Sequence, residues 1–162
     1  MSIKTARKIR ITGSCLFFLY MALLLYLVFF SEYYGRTADI DEWRYNLTPL
    51  REIGRFWICR KELGLRPFVR NVLGNIAAFL PLGSILPVLN RKWRRLFKII
   101  LAGFALSCCV EILQLLSRVG CFDVDDLLLN TIGAAAGYGL FAVCNLIRRK
   151  WDGKEKRLSV HA

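Results

Sequence analysis

The side chains of this protein that could do chemistry are amides and carboxylates set within or beside long apolar runs. Glu111 is the only formally charged residue inside any of these runs. An ionisable side chain at depth in lipid is costly unless polar partners surround it, so it marks either a functional site or a hydrogen-bonded clamp between helices. The candidate ligand-binding residues are Asn71, Asn75, Glu111, Gln114, Asp126 and Asn130.

Four apolar runs must position these side chains. A helix of 20 residues is about 30 Å long, which is the thickness of the hydrocarbon core of a bilayer. Four runs that are apolar on all sides would leave a soluble bundle too little polar surface. The sequence therefore predicts a single all-α, polytopic membrane domain over residues 1–162. Its transmembrane helices are predicted at 11–30, 72–89, 99–117 and 127–147, followed by a basic tail at 148–162.

The basic residues predict the orientation of these helices. The chain carries a net charge of +12, and Lys and Arg collect on the cytoplasmic side of membrane proteins. The N-terminus, the second loop and the tail hold 15 of them together, against 9 in the first and third loops. We expect a multi-pass protein of the cell membrane with both termini in the cytoplasm. Membrane lipid, and not nucleic acid, is the expected partner of the basic clusters.

With this topology the polar residues share one level of the bundle. Each of three helices contributes a pair of them near its outer end, and residues three or four apart lie on one helix face. We therefore expect an outward-facing polar cavity within the membrane. The pairs are Asn71 with Asn75, Glu111 with Gln114, and Asp126 with Asn130.

Glycine and proline residues are the candidate structural positions. Gly133 and Gly137 have the GxxxG spacing that lets a neighbouring helix approach closely. Pro81, followed by Gly83, is expected to kink the second transmembrane helix, and Pro87 is expected to mark its end.

The cysteines predict neither a metal site nor a cofactor. Four of the six lie inside apolar runs, where cysteine acts as a small hydrophobic residue. Cys59 and Cys121 fall in the predicted outer loops, where they could pair or stay free. No Cys/His spacing suggests zinc, and the single histidine, His161, lies in the tail.

The first loop, residues 31–70, is too long for a simple connection. Leu50, Ile53, Phe56 and Trp57 recur at helical spacing, which predicts an interfacial helix over the outer mouth of the bundle. An aromatic-rich loop without fixed structure is the alternative. Further rings that suit the headgroup level are Tyr33, Tyr34 and Trp43.

Several short fragments, taken in order over about residues 46–141, resemble the VanZ-like family. They are Asn46-Leu47-Thr48-Pro49-Leu50, Asn71-Val72-Leu73-Gly74-Asn75, Phe79-Leu80-Pro81-Leu82-Gly83, Glu111-Ile112-Leu113-Gln114, and Asp125-Asp126 continuing to Asn130-Thr131-Ile132-Gly133. One departure is that many relatives have an arginine just before the aspartates, whereas here Gly120-Cys121-Phe122 precedes them.

The resemblance implies a small bacterial membrane protein whose namesake gives low-level resistance to teicoplanin, a lipid-tailed glycopeptide antibiotic, with no established catalytic chemistry. It carries over Asn71, Asn75, Pro81, Gly83, Glu111, Gln114, Asp126, Asn130 and Gly133.

Three functions stay open from the sequence. The first is a protein that binds or excludes a lipid-linked envelope precursor or a lipoglycopeptide. The second is an intramembrane enzyme acting on a lipid headgroup, with a carboxylate as general base or as ligand of a divalent metal such as Mg²⁺. No nucleophile with a base at recognisable spacing favours it, so a non-enzyme is expected. The third is a structural subunit of an envelope complex. The oligomeric state does not follow from the sequence.

Overall fold

A computed structural model of the chain describes residues 3–30, 44–118 and 120–158. The predicted headgroup-level rings Tyr33, Tyr34 and Trp43 lie outside these residues. The helices are α1 (Ile3–Phe30), α2 (Arg51–Ile58), α3 (Arg60–Leu63), α4 (Leu65–Leu89), α5 (Leu96–Leu116) and α6 (Val124–Leu158), with a 3-10 turn at Arg91–Trp93 between α4 and α5. Two short strands are β1 (Tyr45–Asn46) and β2 (Phe122–Asp123).

Four of the helices are long and apolar enough to cross a membrane, which confirms an all-α polytopic fold. The candidate spans are Arg7–Val28, Leu65–Leu89, Leu96–Leu116 and Val124–Trp151. Several helices extend beyond the apolar runs because charged residues such as Arg66 and Arg149 continue a helix without being apolar. An apolar run therefore marks the part of a helix that suits lipid, but it does not mark where the helix begins or ends.

Pro87 lies in the last turn of the second transmembrane helix and does not itself terminate it. Pro81 and Pro87 both lie inside α4, which continues to Leu89. Proline removes its own N–H, but the carbonyl groups around it still accept hydrogen bonds. The Asn90 N–H bonds to the carbonyl of Leu86 at 3.1 Å, so the last turn stays closed past the second proline.

Helices α4 and α6 pack with their backbones nearly in contact. A Cβ placed on Gly83 would lie 1.8 Å from the carbonyl oxygen of Ala134, and one on Gly137 would lie 2.0 Å from the carbonyl oxygen of Leu80. A Cβ on Gly133 would meet the α4 backbone in the same way. Each of these positions is open only to glycine, because any side chain would force the helices apart.

The buried core is small and lies where α1, α4, α5 and α6 meet. Many of the large apolar side chains outside it are exposed, including Phe18 and Phe97. Such exposure suits a helix surrounded by lipid and not by water. The fully enclosed cluster consists of Leu24, Phe79, Leu82, Ile99 and Ala134.

The segments before α2 and before α6 are joined by a parallel pair of strands. Tyr45 pairs with Phe122, and Asn46 pairs with Asp123. A helix is present where helical spacing predicted one, since α2 includes Ile53, Phe56 and Trp57. All six cysteines, which lie in the described residues, are free thiols, so Cys59 and Cys121 are not paired.

Candidate functional site

A cavity of about 810 Å³ lies between the ends of α1, α4, α5 and α6, with α2 at its mouth. Polar residues from three long helices meet there, although they are up to 59 positions apart in the chain. The structure brings all six predicted ligand-binding residues into its wall, namely Asn71, Asn75, Glu111, Gln114, Asp126 and Asn130.

Glu111 faces the interior of the bundle. Its side chain is 2% exposed. Its Oε2 accepts a hydrogen bond from the backbone N–H of Asp123 at 3.0 Å, which ties α5 to the segment that leads into α6. A buried carboxylate needs such donors, and here a backbone amide supplies one.

Asn75 and Asp126 join α4 to α6. Nδ2 of Asn75 donates to Oδ1 of Asp126 at 2.5 Å, and both side chains line the cavity. A hydrogen bond to a carboxylate is stronger than one between neutral groups, so this pair fixes the relative height of the two helices.

Two amide oxygens in the cavity wall are buried without a hydrogen-bond partner among the described residues. They are Oδ1 of Asn71 and Oδ1 of Asn130. Asn130 is 4% exposed, and its Nδ2 donates to the hydroxyl of Ser107 at 2.9 Å, which orients the amide. An unpaired buried acceptor costs free energy, so a hydrogen-bond donor that reached these oxygens would relieve that cost.

Gln114 lies at the rim of the cavity, one turn of α5 beyond Glu111. It is partly buried, and a Cβ on Gly120 would touch its Cβ at 3.3 Å. The loop after α5 therefore closes over this side chain.

Asp125 is a key polar residue that the sequence did not single out as part of the site. It is fully buried, and its two carboxylate oxygens accept hydrogen bonds from three backbone N–H groups at the start of α2. The donors are Leu50 at 2.5 Å, Glu52 at 2.9 Å and Ile53 at 3.2 Å. A carboxylate is favoured at a helix N-terminus, so Asp125 holds α2 in place.

Asp123 forms the second tie between the first loop and α6. Its Oδ1 accepts hydrogen bonds from Nδ2 of Asn46 at 3.0 Å and from the backbone N–H of Asp125 at 2.8 Å. Burial raises the pKa of Asp123 above its usual range, and these two hydrogen bonds oppose that rise. In the sequence, the sign of this contact was the fragment that begins at Asn46. Its partner, Asp123, lies 77 positions further along the chain.

The wall of the cavity is chemically divided. Amides, carboxylates and the basic side chain of Arg70 form its polar part, while Leu23, Leu27, Ala77 and Phe79 supply an apolar side. Within the described residues, no group of three His, Cys, Asp or Glu side chains is arranged to hold a metal ion. The arrangement suits an amphiphile with hydrogen-bond donors in its headgroup.

Comparisons with known proteins found a family and a relative. The VanZ/LLP1 family model matches residues 17–145. The chain is also 28% identical to Protein VanZ of Enterococcus faecium over 129 residues, which are 78% of this chain and 71% of that protein. No solved structure matches the chain.

Proposed function

The chain belongs to the VanZ/LLP1 family, and from this premise we propose that it protects the cell envelope by binding or excluding an amphiphilic ligand at its intramembrane cavity. The ligand class is a lipid-linked envelope precursor or a lipoglycopeptide such as teicoplanin. The residues that would contact its headgroup are Asn71, Asn75, Glu111, Gln114, Asp126 and Asn130.

The observation that carries this proposal is the pair of unpartnered amide oxygens. Oδ1 of Asn71 and Oδ1 of Asn130 belong to different helices, yet both are buried in the wall of one cavity. Sugar hydroxyls and peptide N–H groups are donors that would satisfy them. Glycan-bearing and peptide-bearing headgroups present both kinds of donor.

The apolar side of the cavity supports a ligand with a lipid tail. Leu23 and Leu27 of α1 and Ala77 and Phe79 of α4 line this side. An acyl or isoprenoid chain placed there would bury apolar surface at about 25 cal/mol per Å². A ligand without a tail would lose that contribution and keep only its headgroup contacts.

We further propose that the cavity opens to the outside of the cell. The end of the bundle opposite Glu111 carries Arg91, Lys92, Arg94 and Arg95 between α4 and α5. Such a cluster favours the cytoplasmic side, which would leave the cavity on the outer side. Both termini are then cytoplasmic.

The same hydrogen bonds favour one competing function, that of a structural subunit. Asn75 with Asp126 and Glu111 with Asp123 tie three segments together, as a simple clamp between helices would. A clamp alone leaves no role for the unpartnered oxygens of Asn71 and Asn130. Substituting Asn71 separates the two functions more cleanly than substituting Asn130, because the Asn130 amide also donates to Ser107 and so joins α6 to α5.

The test is expression of the chain in a teicoplanin-susceptible bacterium. We expect Asn71→Leu and Asn130→Leu to remove tolerance at an unchanged amount of membrane protein. The matched control is Thr131→Val, because the Thr131 hydroxyl bonds to the carbonyl of Leu127 in its own helix. Tolerance should persist in this variant.

Purified protein then distinguishes binding from exclusion. A fluorescent lipoglycopeptide should bind the natural chain, and a glycopeptide without the acyl tail should bind more weakly. Full tolerance in both asparagine variants, with unchanged binding, would refute the proposal.

A further inference from the structure

A second cavity, of about 310 Å³, lies at the end of the bundle opposite Glu111. Arg94 and Arg149 line it together with Tyr138, Phe141 and Leu146. We propose that this cavity binds the phosphate headgroup of an anionic phospholipid, held by the two arginines, with an acyl chain along the apolar side chains of α6. The site is separate from the cavity around Glu111 and does not depend on the function proposed for it.

Arg94 is held in a fixed position by three contacts. Its Nε donates to the carbonyl of Pro87 at 3.1 Å, and its own carbonyl accepts a hydrogen bond from the Tyr138 hydroxyl at 3.1 Å. Its guanidinium carbon lies 5.5 Å from the centre of the Phe141 ring. The terminal N–H groups, which have no partner among the described residues, form the planar fork that fits a phosphate group.

Positive charge gathers around this position from separate parts of the chain. Desolvation lowers the pKa of Arg94, and the neighbouring charges of Arg91, Arg148 and Arg10 lower it further. These residues come from α1, the 3-10 turn and α6, so the fold brings them together. A cluster of like charges at one place is relieved by a bound anion.

No described acidic side chain compensates this cluster. All the acidic residues whose side chains the structure describes lie at the opposite end of the bundle or in the segments that cover it. They are Glu52, Glu62, Glu111, Asp123, Asp125 and Asp126. Among the described side chains the basic end therefore carries only positive charge, which an anion would complement.

The wall of the second cavity favours a lipid over a soluble phosphate. Phe141 and Leu146 lie on α6, whose candidate span runs from Val124 to Trp151. Leu146 and Val143 are both 56% exposed, so this face of the helix is open to acyl chains. A headgroup at Arg94 would therefore have its tail beside an apolar helix.

The experiment uses the full chain in bilayers of phosphatidylcholine that contain a minor fraction of phosphatidylglycerol with the same acyl chains. Native mass spectrometry after release from the bilayer measures which lipid stays bound. We expect phosphatidylglycerol to be retained in preference, at about one molecule per chain. Retention should fall roughly fivefold in Arg149→Gln, since one basic residue is worth about 1 kcal/mol near an anionic lipid.

Two further variants separate a shaped site from general attraction. Arg94→Lys keeps the charge but loses the fork, so we expect it to weaken retention as well. Lys98→Gln removes a charge at the same end of the bundle outside the cavity wall, and should retain phosphatidylglycerol like the natural chain. If Arg94→Lys does not fold, the comparison of Arg149→Gln with Lys98→Gln is enough to distinguish a shaped site from general attraction.

Three results would overturn the inference. Equal losses in Arg149→Gln and Lys98→Gln would mean diffuse attraction to the membrane surface. Equal retention of both lipids in the natural chain would mean that the headgroup is not recognised. Displacement of the lipid by inorganic phosphate at millimolar concentration would assign the site to a soluble phosphate.

Discussion

Oδ1 of Asp125, in the first turn of α6, accepts a hydrogen bond from the backbone N–H of Leu50 at 2.5 Å. Leu50 has a φ of 64°, a left-handed conformation that is unusual for leucine and lies directly before α2. The bond therefore fixes the turn from which α2 starts. Since Glu52 and Phe56 of α2 line the main cavity, Asp125 sets the position of the helix that covers it.

We expect Asp125→Asn to destabilise the protein by about 1–3 kcal/mol. The amide keeps one acceptor oxygen, but its NH₂ group would face the backbone N–H groups of Glu52 and Ile53. Those groups are themselves donors and cannot accept a hydrogen bond. Thermal unfolding in detergent measures the change. Glu62→Gln removes an exposed acid and should alter stability by less than about 0.5 kcal/mol. Equal stability of both variants would show that Asp125 does not hold α2.

Gly137→Ala should loosen the contact between α4 and α6. The new methyl group would lie 2.0 Å from the carbonyl oxygen of Leu80, which is backbone and cannot turn away. We expect a loss of about 1–3 kcal/mol. Gly139→Ala is the matched control two residues further along α6, where a Cβ meets nothing within 4 Å. A similar loss in both variants would attribute the effect to glycine itself and not to helix packing.

Asn75 and Asp126 should show a direct energetic coupling. A double-mutant cycle of Asn75→Ala and Asp126→Ala, read by unfolding in detergent, should give an interaction energy of about 0.6–2 kcal/mol. The cycle of Asn75→Ala with Glu62→Ala should give a value near zero, because these side chains share no contact. A coupling near zero for the first pair would mean that their hydrogen bond contributes nothing to the bundle.

Stability should fall as the pH rises through the titration of Asp123. Burial raises the pKa of this side chain above its ordinary value of 3.8, so the folded protein binds its proton more tightly than the unfolded chain does. The stabilising effect is complete below the unfolded pKa and is lost as the pH rises through the folded pKa. Asp123→Asn should therefore flatten the dependence of the unfolding temperature on pH in this window. A steeper dependence of the unfolding temperature on pH in the variant would contradict this prediction.

The sequence was sufficient to predict those parts of the fold that depend on the regular spacing of apolar and polar residues along a helix. Four apolar runs indicated four membrane-spanning helices, and the family assignment from short fragments is confirmed. Helical spacing also indicated which polar residues share a face. This explains why residues as distant as Asn71 and Asn130 were expected at one level, where the structure brings them into one cavity wall.

The hydrogen bonds that join the loops could not be predicted, because the residues that form them do not recur at a regular spacing in the sequence. Asn46 and Asp123 are 77 positions apart, and their pairing depends on how α4, α5 and α6 return the chain to the same end of the bundle. Likewise, the bonds of Asp125 go to backbone groups, which leave no trace in residue types. Asp123, Asp125 and Asp126 are close together in the sequence, yet each has a different partner.

The central claim is that the cavity around Glu111 is a water-accessible site on the outer side of the membrane. The most direct test is labelling of Asn71→Cys and Asn130→Cys, each in a chain without its natural cysteines, by a membrane-impermeant maleimide applied to intact cells. We expect both to react, whereas Leu140→Cys on the exposed apolar face of α6 stays unlabelled. Labelling of the two asparagine positions only after the cells are opened, or no more than at Leu140, would contradict the account.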